Sequence, residues 1–151
     1  MSADLVKKIE QELSSISSKY YKMILVCEHP KGIAVKNAAE NLGIPLLNIS
    51  LLLSEKLKEY PSKRMAGRVH NLLSDILRNA GRRTLCLDHI EVLFDPTLKQ
   101  DVIQLLQSFS RNYTLVVSWK GSYDGRRFAY AVPGHPEYYE CKEFDGIVVT
   151  E

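Results

Sequence analysis

Four short apolar runs punctuate the chain: MILVC (23–27), LLNI (46–49), TLCLD (84–88) and TLVVSW (114–119). None alternates apolar with polar residues, so each must be buried on both faces. A sheet covered by helices on both sides provides that environment. The intervening segments repeat their apolar residues at helical spacing: Ala34, Ala38, Ala39 and Leu42, then Val69, Leu72, Leu73, Ile76 and Leu77, then Leu98, Val102, Leu105, Leu106 and Phe109. Strand alternating with helix predicts an α/β fold of three layers with a mainly parallel central sheet.

At 151 residues the expectation is a single domain, residues 1–151. Leu5, Ile9, Leu13 and Ile16 predict an amphipathic helix over 3–17, within an N-terminal helical segment 1–18. The first strand is expected over 21–27, the second over 46–49, and a helix starts in LLLSEKLKEY. PSKR (61–64) marks a break, and Gly43 and Gly81 are helix stops. Asp95 as cap and Pro96 in the first turn predict one helix from there to Phe109. Residues 120–151 form an aromatic hairpin and strand region, with FAYAV and IVVT as short strands and DG at 124–125 and 145–146 as turns.

In a parallel sheet, ligands gather at the carboxyl ends of the strands. That places the segments after Cys27, Leu87 and Val117 together. The first reads CEHPKGIAVKN (27–37): strand, tight turn, helix, the layout of a phosphate loop. Lys31 can serve as the loop lysine, Gly32 offers a positive φ, and Lys36 adds charge one turn on. Yet Pro30 has no N–H, no hydroxyl follows Lys31 for Mg²⁺, and Glu28 places a negative charge near the phosphates. The alternative is a strand–helix turn with a solvated lysine. Asp88 resembles the Walker B aspartate that holds Mg²⁺, with His89 beside it as a candidate base and Glu91 two residues on. A capping aspartate beside a solvated histidine explains the same residues. Ser118, ending the fourth run, stands where related ATPases keep a polar residue that senses the γ-phosphate.

Apolar residues make up 45% and charged ones 25%, ordinary for a globular chain. A net charge of +2 is too mild to argue for nucleic acid alone. No apolar run approaches a membrane span of about 18 residues, and MSADLVKKIEQ does not read as a signal peptide. Cys27, Cys86 and Cys141 lack CxxC spacing, so buried thiols in a reducing cytoplasm are expected. The four histidines have no zinc spacing with them, and there is no G-x-S-x-G elbow. Lys63, Arg64 and Arg68, and Arg78, Arg82 and Arg83, read as solvated helix faces. Lys120, Arg126 and Arg127 are interleaved with Trp119, Tyr123 and Tyr130, the pattern of a single-strand or phosphate-backbone contact. The two arginines would act as arginine fingers if a second copy brought them to a neighbour's site.

Taken together, NLGIPLLNIS, TLCLDHIEVLFDPTLKQDVIQLLQSFSRNYTLVVSWKG and YAVPGHPEY resemble the small P-loop proteins called BrxF, of type 3 BREX bacteriophage-defence clusters. The likeness runs over roughly residues 20 to 149. It implies a P-loop NTPase-like core of the additional-strand (ASCE or AAA-like) type, with ATP and Mg²⁺ as cofactors where the glycine-rich GKT or GKS loop is intact. Lys31 falls near the loop lysine, Gly32 replaces the hydroxyl residue, the loop is about two residues short, and Asp88 matches the Walker B aspartate. Three functions follow as expectations. One is an accessory subunit acting with other BREX components, a large ATPase or methyltransferase. The second is an ATPase using Lys31, Asp88 and His89. The third is a DNA-binding module using Trp119 to Tyr130.

Overall fold

The computed structural model describes residues 2–142 and 144–150. Five parallel strands form the central sheet: β1 (Met23–Cys27), β2 (Leu46–Asn48), β3 (Thr84–Asp88), β4 (Thr114–Trp119) and β8 (Ile147–Val149), in the order β2-β3-β4-β1-β8. Between β4 and β8 the chain makes a separate antiparallel sheet of β5 (Ser122–Tyr123), β6 (Phe128–Tyr130) and β7 (Tyr139–Cys141). The α/β architecture and parallel sheet expected from the apolar runs are therefore present.

Side chains alternate between the faces of the sheet, and each face has its own core. Ile24, Val26, Cys86, Val116 and Val149 pack with α1 (Ser2–Leu13) and α2 (Ala34–Leu42). Met23, Leu25, Leu85, Leu87, Leu115, Val117 and Trp119 face the other way. Against them lie α3 (Ile49–Leu57), α5 (Val69–Asn79), α6 (Val102–Phe109) and the aromatic residues of the small sheet. A short helix, α4 (Ser62–Met65), fills the break expected at PSKR.

The first strand starts at Met23 rather than at residue 21, FAYAV yields only Phe128–Tyr130 before Ala131 turns to a φ of 60°, and IVVT yields Ile147–Val149. Three other boundaries differ for a local reason. The second strand stops at Asn48, because its side chain accepts from the Leu51 N–H and caps α3. The expected helix from Asp95 is two pieces. Asp95 caps only a 3-10 turn, Pro96–Leu98; Lys99 then adopts a left-handed φ of 52°, and Asp101 caps α6 anew through the Gln104 N–H. The N-terminal helix ends at Leu13, and Ile16 reaches the core from a separate 3-10 turn, Ile16–Ser18.

Candidate functional site

Because β1, β3 and β4 are parallel and adjacent, their carboxyl ends deliver Glu28, Asp88 and Ser118 to one edge. Ser118 pairs in register with Val26, so its side chain shares a face with Val26 and Glu28, the face that α2 covers. The Glu28 N–H donates to the Trp119 carbonyl at 3.1 Å, extending the β1–β4 pairing by one residue.

The first N–H groups of a helix have no intrahelical partner, and the helix dipole favours an anion there. In a phosphate loop a phosphate occupies that position. Here Glu28 does so. Its Oε1 accepts from the Ala34 N–H, the first of α2, at 2.7 Å, and its Oε2 accepts from the Ser118 hydroxyl at 2.5 Å. Ser118 is buried and committed to this carboxylate. Two further loop amides are turned inward: Lys31 N–H donates to His29 Nδ1 at 3.1 Å and Gly32 N–H to the His29 carbonyl at 2.7 Å.

Gly32 serves a different purpose from the one expected. Its φ is not among the positive values of the described residues, which include those of Gly43, Gly81, Gly125 and Gly134. What requires glycine is space: a Cβ would lie 2.9 Å from Glu28 Cβ and 3.0 Å from both Glu28 Oε1 and the His29 carbonyl oxygen. The side chains of Lys31 and Lys36 project at exposed positions.

Asp88 ends β3 with its side chain 13% exposed. Its Oδ1 lies 3.3 Å from the Lys120 ammonium, itself 15% exposed, and accepts the His89 N–H at 2.9 Å. Lys120 therefore stands where a divalent cation would meet the aspartate. His89 adopts a left-handed φ of 51° and is half exposed, with Nε2 3.7 Å from Asp88 Oδ2 and Nδ1 3.6 Å from Glu91 Oε1, beyond hydrogen-bond reach. Glu91 accepts instead from the Ser50 hydroxyl at 3.2 Å. Among the described residues no group of three or more His, Cys, Asp or Glu side chains is placed to hold a metal.

The donor set does not fit a magnesium nucleotide. A triphosphate needs several free backbone N–H groups, a hydroxyl ligand and an available carboxylate. This loop has spent its Lys31, Gly32 and Ala34 amides internally, offers no hydroxyl after Lys31, and presents Asp88 already neutralised by an ammonium.

The small sheet closes over the same edge. Trp119 is buried and donates its indole N–H to the Ser122 carbonyl. It packs edge-on against Phe94 and Phe128, while Phe94 stacks on Tyr130 with centroids 3.9 Å apart. The ring expected to stack on a nucleic-acid base is core, and Tyr123 is spent stacking on Phe128 at 4.3 Å. Gly121 permits the turn: a Cβ there would fall 2.1 Å from the Ala129 carbonyl oxygen.

Arg126 and Arg127 are exposed, and their backbone N–H groups donate to Asp124 Oδ1. Those bonds hold the Asp124 carboxyl below its ordinary range. The Arg127 side chain lies near Asp124 and Glu140, so its charge is largely matched. Tyr139 donates to Asp101 and accepts from the Ile103 N–H; burial and the Asp101 bond push its phenol up. Burial also raises Cys27 to about 11 and Cys86 to about 12, which keeps both thiols protonated and unreactive at neutral pH.

Two members of this constellation escaped the sequence reading. Glu28 is read there as a repulsive neighbour of phosphate, and Lys120 only as a contact for nucleic acid. The available signal is positional: each directly follows an apolar run. No helix of the described residues is long and apolar enough to cross a membrane. Comparison of the chain with protein-family models, with curated proteins and with solved structures finds no match.

Proposed function

We propose that this chain is a P-loop-type scaffold that works without nucleotide, as an accessory assembly subunit of a BREX-type antiphage system. The strand order supports the P-loop part of the reading. β4 lies between the loop-bearing β1 and the aspartate-bearing β3, which is the inserted strand of the additional-strand class. One observation carries the rest. The Glu28 carboxylate sits at the N-terminus of α2 as an internal substitute for phosphate, and Lys120 sits on Asp88 as an internal substitute for the cation. A fold that supplies both charges itself keeps its shape with no ligand bound. The BREX assignment rests on the resemblance of the segments around LFDPTLKQD and PGHPEY, with the large ATPase or methyltransferase as the partner.

The test is thermal unfolding of the purified protein with and without Mg-ATP, together with co-purification from cells expressing the other defence components. A ligand at 100 times its Kd adds about 2.7 kcal/mol. We expect no such shift, and equal recovery of the complex with and without nucleotide. Stabilisation by Mg-ATP that Lys31→Ala abolishes would instead establish the ATPase reading, with Lys31, Asp88 and His89 as its site.

A further inference from the structure

The amino ends of the same strands present the opposite situation. Arg82 and Arg83 immediately precede β3, Arg111 precedes β4 by three residues, and Lys19 and Lys22 precede β1. These three strands are neighbours, so the loops before them lie side by side across about 10 Å. Two cavities open there, of about 580 Å³ and about 430 Å³. Arg78, Arg82 and Arg83 line the first, Lys19, Lys22 and Arg111 the second, and Ser108 and Asn112 belong to both, so the two adjoin as a basic groove. Among the described residues no carboxylate lines either cavity, although the sequence holds 18 acidic residues against 20 basic ones.

Three of the six cations are held by carbonyl oxygens rather than by carboxylates. Arg82 Nη1 donates to the Gly43 carbonyl at 3.3 Å, Arg83 Nη1 to the Asn112 carbonyl at 3.0 Å, and Lys22 Nζ to the Arg111 carbonyl at 3.5 Å. A neutral carbonyl fixes the direction of a guanidinium and leaves its charge in place. Of the six, Arg78 has a carboxylate partner, Asp75. Aromatic surface accompanies the charge: Tyr20 is 61% exposed, with the Arg111 guanidinium over one face at 4.8 Å, and the half-buried Tyr113 lines the first cavity.

We propose that this groove is a docking surface for single-stranded nucleic acid. The row of cations, of which Arg78 alone has a carboxylate partner among the described residues, tracks the phosphodiester backbone, and Tyr20 with the guanidinium over its ring offers a platform for a base. The groove lies at the opposite end of the sheet from Trp119, so it is independent of the nucleotide-loop reading. It also regroups Arg78, Arg82 and Arg83, which read in sequence as a solvated helix face.

The experiment is fluorescence anisotropy of a labelled oligothymidylate titrated with the full chain over a range of salt. Affinity should fall with salt, the logarithmic slope being about −0.7 per phosphate neutralised. Lys19→Glu with Arg111→Glu should weaken binding at least about tenfold, whereas Arg126→Glu with Arg127→Glu should change it less than about twofold, because neither residue lines this groove and the Arg127 charge already faces Asp124 and Glu140. Circular dichroism checks that each variant is folded; if the double reversal is not, Lys19→Gln and Arg111→Gln singly replace it and should each reduce the salt slope. The proposal is overturned by absence of binding at about 50 mM salt, by equal binding of a duplex or of poly-glutamate, or by loss in the Arg126/Arg127 variant instead.

Discussion

The two ends of the parallel sheet carry similar kinds of charge and treat them in opposite ways. At the carboxyl end, Glu28 is satisfied by Ala34 and Ser118, Asp88 by Lys120, and Arg127 by Asp124 and Glu140. At the amino end, Arg82, Arg83 and Lys22 meet carbonyl oxygens. Matched charges under an aromatic cover are part of what holds a fold together. Unmatched charges around an open groove add nothing to stability and are free to meet an external anion. The end where the topology places ligands is thus closed by the chain's own groups, and the end where it does not is open.

The sharpest way to break this contrast is to open the carboxyl end. Trp119 is 1% exposed and touches Phe94, Phe128 and Tyr139. Trp119→Ala should therefore cost about 3–5 kcal/mol in urea unfolding, the range for deleting a large buried aromatic. A loss below about 1 kcal/mol would mean that the cover is detachable and the edge accessible after all.

Lys120→Met addresses the charges beneath that cover. It strips Asp88 of its ammonium while the carboxylate stays 13% exposed, and should cost about 2–3 kcal/mol. Adding Asp88→Asn should recover part of the loss, because a neutral amide has less need of a partner. Both values should change little between low and high salt, since a largely buried pair is poorly screened. A loss that disappears in high salt would make the pair an ordinary surface contact.

The strands themselves were legible because their runs are uniformly apolar: TLCLD and TLVVSW are β3 and β4 to the residue. Helix edges were less so, since Asp95 and Asp101 are both good caps and the sequence does not say that Lys99 breaks the helix between them. The candidate site was legible as a set of positions and illegible as a set of bonds. Glu28 and Ser118 lie 90 residues apart, and their contact depends on β4 sitting beside β1, a strand order that no local pattern encodes. The basic groove was missed for the same reason: its cations come from the last turn of α5 and from three loops whose adjacency exists only in the folded sheet.

The amino end should show the smallest effect, and its sign is what matters. Lys19 is exposed beside Lys22 and Arg111, and among the described residues no carboxylate lines their cavity. Removing its charge relieves repulsion and breaks no ion pair. Lys19→Gln should then leave stability unchanged or raise it by a few tenths of a kcal/mol, within the range of about ±0.5 kcal/mol usual for surface substitutions. Any gain should be largest at about 10 mM salt, where the Debye length is about 30 Å, and vanish near 1 M, where it is about 3 Å. Urea unfolding at both salts reads this directly. Destabilisation by Lys19→Gln, or a loss independent of salt, would place this lysine among the groups that hold the fold and erase the difference between the two ends. A small salt-dependent gain would mark a surface whose cations repel one another in the free protein, a cost that a bound phosphate backbone would relieve.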